Sequence, residues 1–310
     1  MFEYIIKMNQ IDICKPFLKW VGGKTQILDQ VISNFPAVMN DYHEPFLGGG
    51  SVLLSVLSHV KEKQLFINGN IYAYDLNEAL IYTYINIQKN YEQVYNEIKT
   101  IIDIYNSLDE PVKTNERKKI KVDTLEDAFN NKEMYYYWLR SKYNSLDKKT
   151  VYASALFIFL NKTCFRGVFR MGPNGFNVPY GNYKNPEIVS RSHLKQVSEL
   201  IKDVIFICCD YKEALNNIKE NGFVYLDPPY VPENIKSFVG YTDKGFNEHQ
   251  KLFNMCNDLY NKGIKFVMSN SNMDIVREHF KNYKIYFITC KRSINSKKPD
   301  STTTEVIITA

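Results

Sequence analysis

Tyr42-His43-Glu44-Pro45-Phe46-Leu47-Gly48-Gly49-Gly50-Ser51 reads as a short strand running into a glycine turn, and an apolar helix over residues 52–60 follows it. A second strand, Ile71-Tyr72-Ala73-Tyr74, ends in Asp75-Leu76-Asn77. Strand, glycine turn, helix, strand and terminal acid is the order of a nucleotide-binding βαβ unit. A glycine turn lets backbone approach a ligand, and an acid at the next strand end can take both hydroxyls of a ribose. The turn departs from Gly-x-Gly-x-x-Gly, because Leu53 stands where a third glycine would close the helix against the strand for a dinucleotide pyrophosphate. The unit fits an adenosine-type cofactor without a pyrophosphate; a purely structural turn fits these residues as well.

Towards the C-terminus, Phe223-Val224-Tyr225-Leu226-Asp227-Pro228-Pro229-Tyr230 joins an apolar strand to a carboxylate, two prolines and a ring. The prolines remove two backbone donors and force an extended, rigid exit. Asp227 and Tyr230 are thereby held at a strand's carboxyl end, where open α/β sheets place their ligands. A carboxylate beside prolyl carbonyls accepts hydrogen bonds from an amino group, and the following ring stacks on a planar heterocycle. The set suits an exposed nucleobase amine, with a strand-terminating turn as the structural alternative.

More residues separate Gly48 from Asp227 than a minimal sheet needs, which predicts an inserted domain. Residues 81–161 are helical and polar in pattern, and the charge-rich residues 113–121 read as a solvated face or loop. Residues 161–183 change texture: they are rich in Gly, Asn, Arg and aromatics, and Gly172-Pro173-Asn174-Gly175 is a turn signal, so a β-hairpin or long ordered loop is expected. Arg166, Arg170 and Lys184 interleave there with Phe165, Phe169, Phe176, Tyr180 and Tyr183. Groove contact, base reading and wedging require these residue types; a surface hairpin with inward aromatics has the same composition. Strand patterns resume at residues 204–207 and 265–269. Two last strands, residues 284–290 and 304–309, flank a polar loop with the spacing of a closing hairpin.

Upstream of the glycine turn, Trp20-Val21-Gly22-Gly23-Lys24-Thr25 opens a helix predicted over residues 26–35, which Pro36 ends. Gly22-Gly23-Lys24-Thr25 resembles the tail of a phosphate-binding loop, but Leu18 occupies the first glycine position and no strand clearly precedes it. This disfavours an NTPase and leaves Lys24 able to reach an anionic carboxylate of a cofactor. Lys19 and Trp20 decide nothing alone.

The 310 residues are 45% hydrophobic and 24% charged, an ordinary globular composition with core enough for one elaborated domain or two. A net charge of +5 permits a nucleic-acid partner without demanding one. The six cysteines form no Cys-x-x-Cys pair and the five histidines no ligand-spaced pair, so reduced thiols and no metal are expected. Glu3, Lys7 and Asp12 break any signal-peptide run, and the most apolar stretch, residues 151–160, is about half of what a membrane span requires. A soluble, cytoplasmic protein is expected.

Taken together these residues resemble the DNA adenine-N6 methyltransferases of the Dam type (D12 class, alpha group). The resemblance runs in order through Phe17-Leu18-Lys19-Trp20-Val21-Gly22-Gly23-Lys24, Glu44-Pro45-Phe46-Leu47-Gly48-Gly49-Gly50-Ser51, Tyr74-Asp75-Leu76-Asn77, Phe176-Asn177-Val178-Pro179-Tyr180-Gly181 and Asp227-Pro228-Pro229-Tyr230. It is less clear over residues 90–150. It implies an α/β fold, a Rossmann-like class I methyltransferase sheet with an inserted helical and β-hairpin target-recognition domain. Residues 1–90 and 191–310 would form the catalytic domain and residues 91–190 the recognition domain.

The resemblance further implies S-adenosylmethionine as cofactor, held by Trp20, Lys24, Phe46, Gly48, Gly49, Gly50, Asp75, Asp210 and Asp227. Asp227, Pro228, Pro229 and Tyr230 would act on an adenine flipped out of duplex DNA, with no metal. Lys19, Phe165, Arg166, Val168, Arg170, Asn177, Pro179 and Tyr183 would contact DNA, with Phe165 as a wedge beside the vacated base. The implied target is GATC, although between Met171 and Phe176 the hairpin is one residue shorter than in enteric bacterial members. Partners would be double-stranded DNA and a cognate restriction endonuclease acting independently, with the enzyme a monomer or weak dimer on DNA. The alternatives are the same chemistry on another DNA target, cytosine N4 or RNA, and an inert DNA-binding relative.

Overall fold

The computed structural model describes residues 11–111, 122–232, 246–291 and 302–310. The charged residues 113–121 and most of the polar loop before the last strand lie outside these. Helix α1, Leu28–Ile32, is shorter than its predicted span, and turns lead from it to Pro36. Strand β1, Tyr42–Glu44, stops where Pro45 cannot donate to a ladder. Helix α2, Ser51–Lys61, begins after Gly50, whose φ of 69° a side chain would resist. Its residues 51–58 are all buried, as expected for a helix that is apolar on most faces. Strand β2, Ile71–Asp75, leads into α3, Glu78–Ser107, where the Asn77 carboxamide caps the first turn by accepting the Leu80 N–H at 3.2 Å.

Helix α3 breaks at Asn90, with φ −159° and ψ 74°. Before the break Tyr84 stacks on Phe206; beyond it Tyr105 meets Phe159 edge-on. The second contact belongs to the helical insert: α4, Leu125–Ala128, α5, Lys132–Ser145, and α6, Val151–Thr163. The run singled out as the most apolar is α6, a core helix buried along residues 153–161. Among the described residues no helix is long and apolar enough to cross a membrane. The predicted hairpin is small: Met171 pairs with Phe176 and Gly172 with Gly175.

The chain then returns to the sheet through α7, Arg191–Leu200, β3, Val204–Cys208, α8, Tyr211–Asn216, and β4, Phe223–Leu226. Helix α9, His249–Asn261, β5, Lys265–Ser271, α10, Asp274–His279, and the antiparallel pair β6, Lys284–Lys291, and β7, Thr302–Thr309, complete it. The seven strands lie in the order β6-β7-β5-β4-β1-β2-β3. β7 runs antiparallel to β5 and β6, and the remaining neighbours are parallel. This is the expected mixed α/β sheet, consistent with a class I methyltransferase fold. Alternate strand residues divide between two cores: Tyr42, Phe223, Tyr225 and Val267 pack with α2 and α3, whereas Val224, Leu226, Phe266 and Met268 pack with Leu252, Phe253 and Val276.

Strand order reverses at β1, whose neighbours are β2 on one side and β4 on the other. The connections leaving the carboxyl ends of β1 and β4 diverge there, and a crevice opens between them. Leu53, on the helix that floors this crevice, is fully buried. Leu53→Ala is expected to destabilise the protein by about 2–5 kcal/mol through lost burial and a residual cavity, read as a lowered urea midpoint with an unchanged slope.

Candidate active site and recognition arm

The crevice holds a cavity of about 840 Å³. Trp20, Lys24, Phe46, Gly48, Gly49, Asp75, Asp210, Asp227, Pro228, Pro229 and Tyr230 all line it, although they come from five separate stretches of chain. Gly50 faces away, since a Cβ built there would meet the Tyr84 hydroxyl at 2.2 Å. Gly48 and Gly49 lie under Trp20, and added Cβ atoms would stand 2.9 Å from its Nε1 and 2.7 Å from its Cβ. The turn is therefore glycine because an aromatic wall leaves no room for side chains.

Asp75 closes the end of β2. Its Oδ2 accepts the Gly48 N–H and its Oδ1 the Asn77 N–H, each at 2.9 Å, and the Leu76 N–H also bonds the carboxylate, which leaves acceptor capacity for a ligand hydroxyl. Burial raises its carboxyl above the usual range, against these backbone bonds. Asp210 caps α8, its Oδ1 accepting the Lys212 N–H at 2.9 Å.

At the end of β4, Asp227 Oδ2 lies 2.7 Å from the Lys24 ammonium, which is 4% exposed. Lys24 Nζ also donates to the Gly22 carbonyl at 2.6 Å and sits 4.9 Å from the Tyr230 ring centroid. The sequence placed Lys24 within reach of a cofactor carboxylate; in the fold its charge is engaged by the chain's own Asp227. Burial pushes the Asp227 carboxyl up to about 6 while Lys24 pulls the other way. The Tyr230 hydroxyl donates to Glu305 Oε2 at 2.8 Å. After the two prolines the chain is pinned again at Val231, whose N–H donates to Asn270 Oδ1 at 3.2 Å and whose carbonyl accepts the Ser271 hydroxyl at 2.7 Å.

Several lining residues carried no decisive sequence signal. Glu305 reaches the site from the last strand, some 75 positions after Tyr230. Glu44 is buried and takes the Tyr42 hydroxyl at 2.7 Å; burial pushes its carboxyl up to about 8, so it is neutral at pH 7. Tyr211 stacks on Phe46 at 5.4 Å, and Phe246 meets both edge-on, which makes one wall aromatic. Glu248 holds Lys212 at the rim at 2.8 Å. Tyr211 could have been found from its place just after strand and acid; Glu305, Phe246 and Glu248 enter only through tertiary packing.

Seven acidic residues and two lysines line the cavity. An aromatic wall, a glycine turn, an acid with lone pairs to spare and an excess of carboxylate fit a cofactor that joins an adenosine to a cationic sulfonium. Among the described residues no cluster of His, Cys, Asp and Glu could hold a metal ion.

Outside the cavity lie the eight residues expected to meet DNA. Residues 176–180 alternate in burial: Phe176, Val178 and Tyr180 point inward, Asn177 and Pro179 outward. Backbone bonds from Asn177 N–H to the Arg170 carbonyl at 3.2 Å and from Phe165 N–H to the Pro179 carbonyl at 2.8 Å hold one edge of this arm, and helical side chains hold the other. Asn144 accepts the Phe176 N–H at 2.8 Å and donates to its carbonyl at 3.0 Å; Tyr136 and Arg140 donate to the Val178 carbonyl at 2.8 and 3.0 Å; the Tyr105 and Tyr180 hydroxyls share a bond of 2.6 Å. Arg170 is exposed, with Nε donating to Asn177 Oδ1 at 2.7 Å, which aims its guanidinium. Phe165 is 48% exposed beside Arg166, itself held at φ 59°. Val168 is half-buried, and the Lys19 ammonium stands 4.4 Å over the Tyr183 ring.

A family model of the D12 class N6 adenine-specific DNA methyltransferases matches residues 20–294. The chain is 37% identical over 293 residues to the type II methyltransferase M.MjaIII of Methanocaldococcus jannaschii, covering 91% of this chain and 93% of the relative. It is 30% identical over 315 aligned positions to the type II methyltransferase M1.LlaDCHI of Lactococcus lactis subsp. cremoris, covering 98% of each. With the DNA adenine methylase of Haemophilus influenzae it shares 28% identity across 92% of this chain and 89% of the relative. The chain therefore belongs to the D12 class N6 adenine-specific DNA methyltransferases, enzymes that bind DNA and carry a methyl group from S-adenosylmethionine to adenine N6.

Proposed function

We propose that the protein methylates adenine within GATC, with the catalytic work done by Asp227, Pro228, Pro229 and Tyr230. The observation that carries the chemical reading is Asp227, paired with the buried Lys24 ammonium at 2.7 Å at the switch point of the sheet. Adenine N6 is a poor nucleophile because its lone pair is delocalised into the ring, and inside a duplex it is out of reach, so the base is flipped. S-adenosylmethionine supplies the electrophilic methyl. Lys24 occupies Oδ2 of Asp227, which leaves Oδ1 to accept a hydrogen bond from N6, with the Pro228 carbonyl taking the second. Both bonds draw the lone pair away from the ring. One face of Tyr230 carries the Lys24 ammonium, so the base stacks on the other, while Glu305 keeps the phenol from turning. Positioning and fixed charge carry the rate.

Trp20, Lys24, Phe46, Gly48, Gly49, Asp75 and Asp210 hold the cofactor in this reading, with Tyr211 added to the aromatic wall; Gly50 shapes the turn from behind. Lys19, Val168, Arg170, Pro179 and Tyr183 read bases, Arg166 and Asn177 support them, and Phe165 fills the vacated place in the stack. The alternating arm supports this assignment, since Asn177 and Pro179 are presented while their neighbours are bolted down. Residues 91–190 act as the recognition domain and the remainder as the catalytic one in this reading, and the break in α3 at Asn90 supports the choice of the first boundary. The type II relatives favour a role beside a restriction endonuclease acting independently.

With tritiated S-adenosylmethionine, duplexes containing GATC are expected to be labelled and matched duplexes lacking it to remain blank; equal labelling would remove the target assignment. Asp227→Ala is expected to lower kcat by about 10²–10³-fold, the scale of one preorganised electrostatic partner, with cofactor still bound by calorimetry. The ionised form of Asp227 is the acceptor, so kcat should fall as pH drops through about 6. Lys24→Gln removes the charge that favours ionisation, and at saturating cofactor this acidic limb should move up by about 1–3 pH units. A limb unmoved in the variant would mean that another group titrates.

A further inference from the structure

Asn161, near the end of α6, is 2% exposed. Its Oδ1 accepts the Lys19 N–H at 2.8 Å, and its Nδ2 donates to the Lys19 carbonyl at 2.8 Å and to the Gly167 carbonyl at 3.3 Å. One buried carboxamide thus grips both backbone groups of Lys19 and one carbonyl of the loop that precedes Val168 and Arg170. That loop is held in an unusual shape, with Arg166 at φ 59° and Gly167 at φ 62°, and such shapes persist only where surroundings over-determine them. The Lys19 side chain lies so close that a Cβ on Gly167 would meet its Cδ at 2.6 Å. The next residue, Trp20, covers Gly48 and Gly49 on one side and stacks on Phe169 of the recognition loop at 5.8 Å and 17°.

We infer that Asn161 is a positioning residue that couples cofactor binding to DNA binding. Resting on the proposed roles of Trp20 and Lys19, the inference follows from adjacency. A cofactor that seats Trp20 against the glycine turn fixes the backbone of Lys19, and Asn161 passes that constraint to Gly167 and so to Val168 and Arg170. Among the described residues no other side-chain bond joins Lys19 to Gly167, so removing the carboxamide cuts the direct tie between the two ends. DNA ordering the same loop must by reciprocity tighten the cofactor.

The test is calorimetric titration of the whole protein with S-adenosylhomocysteine, which cannot react, in the absence and presence of a saturating GATC duplex. The ratio of the two dissociation constants should be at least about 5 in the unmodified protein, the lower end of ordinary coupling. In Asn161→Ser, which is too short to span Lys19 and Gly167, it should fall to within about twofold of one, with affinity in the absence of DNA changed less than about threefold. Phe169→Leu, which removes the stack and leaves Asn161 intact, should lower the ratio as well. A ratio near one in the unmodified protein, or an undiminished ratio in Asn161→Ser, overturns the inference. If Asn161→Ser does not fold, an undiminished ratio in Phe169→Leu overturns it. Failure of the unmodified protein to bind the analogue at all would overturn the cofactor assignment beneath it, an outcome that the ratios keep separate.

Discussion

The ion pair between Lys24 and Asp227 is the constraint on which the site is built. Burying two opposite charges is costly, and the cost is met only when geometry and further hydrogen bonds are good. Here the ammonium also binds the Gly22 carbonyl and faces the Tyr230 ring, and the Lys24 backbone N–H donates to Ser51 at the start of α2 at 3.1 Å. The N-terminal loop, the glycine-turn helix and the end of β4 are thereby drawn to one point. Loss of either partner would strand a charge in that environment, so the three elements depend on one another for their arrangement.

The same burial sets the electrostatic character of the cavity. Asp227, Glu44 and Asp75 are all raised by desolvation, yet to different outcomes. Glu44, whose main partner is a tyrosine hydroxyl, is neutral at pH 7 and acts as structure; Asp227, beside a lysine, remains charged. Two carboxyl groups in one crevice are separated in role by their neighbours. The remaining acid excess suits a cationic sulfonium, and the aromatic wall of Phe46, Tyr211 and Phe246 gives the cavity an apolar side.

The recognition arm solves a different problem. A two-pair hairpin has few ladder bonds with which to hold an exposed segment straight, and beyond Phe176 scattered backbone links follow: Asn177 N–H to the Arg170 carbonyl at 3.2 Å, Phe165 N–H to the Pro179 carbonyl at 2.8 Å and a bridge between Tyr180 and Cys164. Asn144, Arg140 and Tyr136 stand one helical turn apart on α5 and add side-chain bonds to that segment. The segment keeps the alternation of a strand, with Phe176, Val178 and Tyr180 anchored and Asn177 and Pro179 exposed. Through Trp20 and Asn161 this arm's loop shares a junction with the glycine turn, above a core that α2, α3 and α6 build together.

Local signals accounted for much of this. The βαβ order around Gly48, the rigid Asp227-Pro228-Pro229-Tyr230 exit and the turn Gly172-Pro173-Asn174-Gly175 are short-range features, because proline and glycine restrict or free the backbone by their own covalent structure. The closing pair β6 and β7 followed from two apolar runs at hairpin spacing. Element ends were less legible: Pro45 cut β1 short, and α1 formed over fewer residues than its pattern suggested. The Lys24–Asp227 pair, the hold of Glu305 on Tyr230 and the clasp of Asn161 on Lys19 join residues 203, 75 and 142 positions apart, and no local pattern encodes such distances. Strand and turn chemistry and the order of the motifs could be read along the chain, because they depend on neighbouring residues. Which charge meets which emerged with folding, because burial in a shared crevice, and not proximity along the chain, fixes the partners of a charged group.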